Sequence, residues 1–359
     1  MEEQNMDVLT EQKTDFQEIL YEKKDWVARV TINRPQNYNA YSTNCLEELA
    51  TAFRQASFDD EVAVIVYTGF GQRAFCTGGD VKEYQKKYTR SPHDYWKYMR
   101  LFGTYIESIV NTGKPVIARL NGMAVGGGNE SQMACDLAII AEHAWIGQVG
   151  SSVGSVAAGG ATQWLPIMVG DRRARYMLMT NRKIPPYQAL DWGLVNEVVP
   201  SVMRNGDFID RASIDQIARA QREIDGYSID LSLLDKAVDS LAQELVDKFP
   251  ECIRYTKEQT NFWKNFAWHQ TIGHARDWLS IHYTSWEPLE GMTAFVEKRP
   301  PNYRLLRERM AKGKSGEFRW GPYAATCASC GAQALPEEFE FCGVCGATLN
   351  GAQVDDGNG

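Results

Sequence analysis

The chain has 359 residues, a formal net charge of −8, and 44% hydrophobic and 11% aromatic residues, enough for one large domain and a small one. With no long basic block to neutralise phosphates, that charge argues against a non-specific nucleic-acid binder, while leaving room for a small anion on a local patch. No stretch reaches the apolar length of a membrane span, and Met1 to Asp7 lacks the basic, apolar plan of a signal peptide, so the expectation is a soluble cytoplasmic protein.

Residues 1–17 are polar and read as a frayed end. Next come a strand over 19–23, a strand over 26–33, a helix over 43–57 and a strand over 62–69. The helix carries Leu46, Leu49, Ala50, Phe53 and Ala56 at helical spacing. A glycine segment follows, Ala74-Phe75-Cys76-Thr77-Gly78-Gly79-Asp80, opening into Val81-Lys82-Glu83-Tyr84. After a strand-like run at 115–120 comes a second one, Asn121-Gly122-Met123-Ala124-Val125-Gly126-Gly127-Gly128-Asn129-Glu130. Strand–helix alternation continues through residue 200 and argues for an α/β core. Residues 201–235 read as an insertion of roughly 25 to 30 residues, longer than ordinary connections and so a candidate functional loop. Helices are expected over 231–249, 252–266 and 269–285, and Lys312-Gly-Lys-Ser-Gly-Glu-Phe reads as a linker. The expected organisation is a flexible 1–17, a core over 18–200, an insertion and helical region over 201–311, a linker over 312–325, a Cys-rich module over 326–350 and a flexible 351–359.

The two glycine segments carry the first chemical signal. Glycine leaves backbone N–H groups uncovered, and the first turn of a helix has N–H groups with no internal partner. Two such segments could offer two donors to one developing oxyanion, as in acyl chemistry that needs no nucleophilic side chain. Taken singly, each is more often a turn or a close-packing site. Gly150-Ser151-Ser152-Val153-Gly154 also fits the GxSxG nucleophile pattern. That reading needs a preceding strand, a following helix and triad partners in order. His269, His274 and His282 lie downstream, but in an aromatic-rich helical stretch that packing explains.

Eight cysteines fall into two groups. Cys45, Cys76, Cys135 and Cys252 stand among small or apolar residues and read as buried free thiols. Cys327-Ala-Ser-Cys330-Gly and Cys342-Gly-Val-Cys345-Gly form paired CxxC knuckles, whose four thiolates can converge tetrahedrally on one structural Zn²⁺ with no open position. Two disulfides are the alternative, disfavoured without a secretory signal. Such a ribbon could dock a partner protein.

With Asn33-Arg34-Pro35-Gln36-Asn37-Tyr38-Asn39-Ala40 upstream, and Gly147-Gln148, Gly159-Gly160-Ala161-Thr162-Gln163 and the run 189–199 downstream, the glycine segments resemble the crotonase (enoyl-CoA hydratase/isomerase) superfamily over about residues 18 to 200. The resemblance implies a ββα spiral core with a helical trimerisation or lid region, a coenzyme A thioester as substrate, and a homotrimer or hexamer. It matches Gly79 and Gly127 to the two positions whose N–H groups hold the thioester oxygen. Glu130 corresponds to one of two acid/base glutamates of the hydratases, where a first-turn Glu would otherwise favour the helix dipole. The second glutamate follows Gly-Gln-Pro in the family. Here Gly147-Gln148-Val149-Gly150 puts Gly150 at its place, which argues against simple hydration of a linear enoyl-CoA. Tyr38 and Ala40 stand in the coenzyme A loop, with Gly78, Asp80 and Lys82 beside it. Lys82 and Arg34 are candidates for phosphate contacts or ordinary structural charges, and Tyr41 reads as a core aromatic or a wall of the acyl pocket. The departures, with the runs 84–102, 229–235 and 249–252, are similar to the 6-oxocyclohex-1-ene-1-carbonyl-CoA hydrolase subgroup, to which a zinc ribbon does not generally belong. A hydrolase/hydratase on a cyclic oxo-enoyl-CoA, an ordinary hydratase or isomerase, and a non-catalytic coenzyme A scaffold are the readings to separate.

Overall fold

The computed structural model describes residues 15–349, so residues 1–14 of the end expected to be frayed, 1–17, and the whole of the end 351–359 lie outside the described residues. Gln17 and Glu18 are tied down, their N–H groups donating to the Glu48 carboxylate at 3.0 and 2.8 Å. β1 (Ile19–Lys24) and β2 (Val27–Ile32) form an antiparallel hairpin whose two turn residues, Asp25 and Trp26, both take positive φ, as a two-residue turn matching strand twist requires. Ser42 caps α1 (Thr43–Phe58) by accepting from Cys45 N–H, and the predicted apolar stripe of that helix faces the core. α1 returns the chain to β3 (Val64–Gly69), which pairs parallel to β2.

From here a two-strand-and-helix unit repeats. β4 (Ala74–Cys76) leads into the single turn of α2 (Val81–Glu83), a π-helical stretch at Tyr84–Tyr88 and α3 (Pro92–Val110). β5 (Val116–Leu120) and β6 (Met123–Val125) lead into α4 (Gly127–Ala134). β7 (Leu137–Ala141) and β8 (Ile146–Gly147) lead, through a turn, into α5 (Ala161–Met168), α6 (Asp171–Thr180) and α7 (Pro186–Asp191). β9 (Glu197–Val199) closes a sheet of order β1-β2-β3-β5-β7-β9, while β4-β6-β8 make a second. Each turn of the spiral thus gives one strand to each sheet. β3 and β5 are buried throughout and mostly apolar, because a covered parallel sheet has no solvent side, and the buried Arg119 of β5 pairs with Asp235 at 2.8 Å.

The segment expected as a functional loop folds instead into a small sheet, β10 (Val202–Arg204) between β11 (Asp207–Ile209) and β12 (Tyr227–Ile229), with α8 (Ile214–Ala220) packed on it. It has its own core of Val202, Ala220 and Tyr227, and Ala212 N–H ties it to the spiral through Glu142 Oε1 at 2.9 Å. α9 (Ser232–Val246) covers the outer face of the large sheet with Leu234, Val238 and Ala242. α10 (Pro250–Thr260) is followed by α11 (Phe262–His282), one continuous helix where the sequence suggested a break after 266. Cys252 is exposed, unlike Cys45, Cys76 and Cys135, because it lies on the outward side of the first turn of α10. α12 (Trp286–Val296) and α13 (Leu305–Ala311) complete the helices, and the Cys-rich module folds back on its own chain through an Arg309–Glu338 ion pair at 2.7 Å.

One buried charge pair fastens the helical region to the spiral. Lys257 Nζ lies 2.8 Å from Asp136 and donates to the carbonyls of Ile109 and Lys114 at 3.2 and 3.0 Å, and Asp136 also accepts Val116 N–H at 2.7 Å. Lys257→Met leaves Asp136 without its cation, so it is expected to cost about 3 kcal/mol. Urea denaturation of the two proteins measures this; matching midpoints would show that the pair does not hold α10.

Candidate active site

The two glycine segments meet backbone against backbone. A Cβ on Gly78, which has φ +86°, would stand 2.9 Å from Gly127 N, and one on Gly128 would stand 2.0 Å from the Cys76 carbonyl oxygen. Only glycine permits either approach. Tyr41 N–H donates to Gly78 O at 2.9 Å and Asp80 N–H donates to Tyr41 O at 3.0 Å, so the first segment is also laced to the chain before α1. Gly126, at φ +57°, turns β6 into α4 and aims the Gly127 N–H outward from the helix start. Among the described residues neither Gly79 N–H nor Gly127 N–H has an acceptor, and both glycines line one cavity of about 100 Å³.

Glu130 opens onto the same cavity one turn into α4. Its Oε1 accepts Gly159 N–H at 2.7 Å and Ala161 N–H at 3.1 Å, while Oε2 has no partner among the described residues. Burial pushes the carboxyl up to about 7 against the opposing pull of those two donors. Gly150, which the resemblance sets at the position of the second glutamate, lines the cavity as well. A Cβ there would meet the Ser155 carbonyl oxygen at 2.9 Å, and the turn is closed by Ser155 N–H donating to Gly150 O at 2.9 Å.

Gly78, Gly79, Gly127 and Glu130 therefore converge, while Tyr38, Ala40, Asp80 and Lys82 stand outside the cavity. Tyr38 is exposed, and its carbonyl accepts from Thr77 Oγ1 at 3.2 Å. Ala40 O accepts from Arg34, whose guanidinium also pairs with Glu18 at 3.0 Å and Asp80 at 3.3 Å. Asp80 in addition caps α2. Arg34 and Asp80 thus brace the loop, and Lys82 is exposed on α2 with its ammonium unpaired among the described residues. Tyr41, offered by the sequence as a core aromatic or a wall of the acyl pocket, lines the cavity, and with it stand three phenols that the sequence reading missed, Tyr84, Tyr95 and Tyr283. Tyr84, Tyr88, Tyr95 and Tyr98 recur at helical spacing, a signal that marks one face without saying what it faces. The GxSxG match is no nucleophile elbow. Its residues form a 3-10 turn, Ser151 Oγ donates to Asn181 Oδ1 at 2.9 Å and Ser152 Oγ to Val149 O at 2.8 Å, while His282 stacks on Trp278.

The four tail thiols lie within 4.8 Å of one another, with Cys327–Cys345 and Cys330–Cys342 sulfurs 3.7 Å apart. Sulfurs bound at about 2.3 Å on a tetrahedral ion stand about 3.8 Å apart, so the cluster fits such an ion. Val344 N–H, donating to Cys342 Sγ at 3.4 Å, favours a thiolate there.

This fold and site define the class. The family model "Enoyl-CoA hydratase/isomerase" matches residues 22–223, and the chain belongs to that family. It is similar to 6-oxocyclohex-1-ene-1-carbonyl-CoA hydrolase of Geobacter metallireducens, 36% identical over 80% of this chain and 81% of that protein, and to the enzyme of the same name from Thauera aromatica, 35% identical over 79% and 82%. Among solved structures, an enoyl-CoA hydratase from Bacillus anthracis superposes with TM-score 0.57 at 27% identity, covering 80% of this chain and 99% of that one. An enoyl-CoA hydratase from Mycobacterium avium subsp. paratuberculosis, 24% identical, shares the fold with TM-score 0.64 over 80% and 99%.

The Glu130 carboxyl, at about 7 in the folded state against an ordinary 4.5, holds its proton more tightly folded than unfolded. Its contribution to stability is full below pH 4.5 and is lost as pH rises through 7. Glu130→Gln keeps the acceptor and removes the charge, so it is expected to be as stable as the parent at pH 4.5 and more stable at pH 8. Denaturant midpoints at the two pH values read this difference, and a gain that is larger at low pH would contradict it.

Proposed function

We propose that the chain is an acyl-CoA hydratase/hydrolase that adds water to a cyclic oxo-enoyl-CoA and then opens its ring. The observation that carries this is one buried carboxyl near neutrality facing two free backbone donors, with the second carboxylate position closed at Gly150. In this reading the thioester oxygen accepts from Gly79 and Gly127 N–H. Glu130 Oε2 takes a proton from water, the hydroxide adds to the β-carbon, and charge moves onto the thioester oxygen as an enolate. Two preorganised donors in a dry site stabilise that charge by several kcal/mol. The protonated Glu130 returns its proton to the α-carbon, and a group at about 7 suits both directions. A second water adds to the ring ketone. Glu130 takes a proton from that water. Collapse of the adduct breaks the bond to the α-carbon to give a ring-opened thioester enolate at the same two donors and a carboxylic acid, and Glu130 returns the proton to the α-carbon. The names of the 35–36% identical relatives support the cyclic substrate.

Phe262 and Phe266 stack in the open on α11, 72% and 60% exposed, which supports self-association through the helical region in a trimer or hexamer. Mass analysis of products separates the readings. The cyclic oxo-enoyl-CoA should gain two waters with ring opening; a gain of one would indicate an ordinary hydratase, and no change a scaffold. Glu130→Gln should lower turnover by at least about 100-fold, and undiminished turnover would remove Glu130 from the chemistry.

The tail cysteines, in the same proposal, hold a structural Zn²⁺. Metal analysis of the purified chain should find one zinc per chain, with a thiol reagent reaching the four tail thiols only after a chelator. Four freely reactive tail thiols in a metal-free chain would refute it.

A further inference from the structure

Two phenols stand where the two donor glycines would carry side chains. A Cβ on Gly127 would lie 1.7 Å from the Tyr41 hydroxyl, and one on Gly79 would lie 1.7 Å from the Tyr84 hydroxyl. Each hydroxyl therefore rests against the Cα of one donor glycine, and the absence of a side chain is what admits it. Both rings line the cavity. Tyr84 Oη shares a hydrogen bond with Tyr98 Oη. Tyr41 is only 2% exposed, yet its hydroxyl has no hydrogen-bond partner among the described residues. Its ring is fixed by stacking on Phe102, with centroids 5.6 Å apart at 24°, and by the backbone bonds to Gly78 and Asp80. A rigid hydroxyl that opens onto a cavity and bonds nothing in the protein is placed to donate to an acceptor on the ligand.

We propose that Tyr41 and Tyr84 form a second donor pair, which holds the ring-ketone oxygen of a β-oxo acyl-CoA beside the thioester oxygen held by Gly79 and Gly127. The assignment rests on the ring-opening reading above and makes that site specific for a substrate with two carbonyls. The two carbonyls of such a substrate flank one carbon, so their oxygens sit side by side, as the hydroxyls sit beside the glycines. When hydroxide adds to the ketone carbon, the C=O π pair moves to oxygen and the alkoxide forms between the two phenols. The pair then re-forms the C=O bond, the bond to the α-carbon breaks, and its electrons pass to the thioester oxygen at the glycines. Burial pushes both phenols well above the ordinary tyrosine value, so they stay protonated donors and do not compete with Glu130 as base. Hydration of a substrate without a ketone uses neither hydroxyl.

Two partial substrates separate the halves of the reaction. Cyclohex-1-ene-1-carbonyl-CoA can only be hydrated, and 2-oxocyclohexane-1-carbonyl-CoA can only be opened. Tyr41→Phe removes an oxygen that bonds nothing in the protein, so folding is expected to survive. Its kcat for ring opening should fall by at least about 100-fold, with hydration changed by less than about threefold, and Tyr84→Phe should follow the same pattern. Tyr105→Phe, a buried phenol outside the cavity and bonded to Tyr67, should affect the two substrates equally. Equal losses on both substrates in Tyr41→Phe, or no loss on the ketone, would overturn the second donor pair while leaving ring opening standing. A parent enzyme that hydrates the first thioester and never opens the second would overturn ring opening itself, and the donor pair with it.

Discussion

The contact on which this structure depends is a backbone laid against a backbone. The loop at 77–80 and the start of α4 approach so closely that Gly78 and Gly128 have no room for a methyl group against Gly127 N and Cys76 O. The approach follows from the spiral. β4 and β6 pair parallel with a shifted register at Cys76, which delivers both segments to the same end of the small sheet. Free N–H groups that would be unrelated on separate loops then point into one space. Tyr41 joins the arrangement twice, by backbone bonds to the first segment and by its hydroxyl against the second. Preorganisation here is a matter of main-chain geometry, and main-chain donors cannot rotate away.

That geometry also sets the electrostatics. Glu130 stands near the positive end of α4, which favours its ionised form, and it accepts two N–H groups, which does so again. Burial outweighs both and leaves the carboxyl close to neutrality. A second carboxylate at residue 150 would raise it further, since like charges in one dry site cannot both ionise cheaply. Gly150, closed by its own turn, leaves Glu130 without that repulsion.

What the sequence made legible was whatever is written in neighbouring residues. The strands, the apolar face of α1 and the paired CxxC knuckles are local patterns, and so are the two glycine segments. What it hid were the groups that only the fold brings together. Tyr84 follows the first segment, and Tyr283 comes from the far end of α11 to stack on Tyr95 at 3.6 Å. No spacing rule connects positions so far apart, and a tyrosine in a helix ordinarily reads as core. α11 misled for a related reason. It carries aromatic residues on several sides, because one face packs on α3 and α5 through Trp268 while Phe262 and Phe266 stay in the open, so its apolar period is blurred. The segment at 201–235 misled because three-residue strands are too short to show alternation.

The Cys-rich tail contributes no group to the cavity: none of residues 312–349 lines it. It acts on the segment beside the cavity instead. Trp286 N–H donates to Glu317 O at 2.9 Å, and the Arg319 guanidinium lies over the rings of both Trp286 and Trp320, at 5.3 and 5.1 Å. Trp286 opens α12 three residues after Tyr283, whose hydroxyl donates to Ser155 at 3.3 Å on the cavity wall. Arg90 N–H, donating to Tyr283 O at 3.0 Å, closes the same corner from the other side. A short connection between two helices would ordinarily be a loose joint. Here it is gripped by α3's approach on one side and by the tail on the other, so the ring of Tyr283 is held against Tyr95 from both ends of the connection. Rigidity at that wall matters because Tyr95 and Tyr283 both pack edge-on against Tyr84, with ring centroids 6.3 Å away, and a group lining a cavity keeps its position only if the side chains behind it keep theirs.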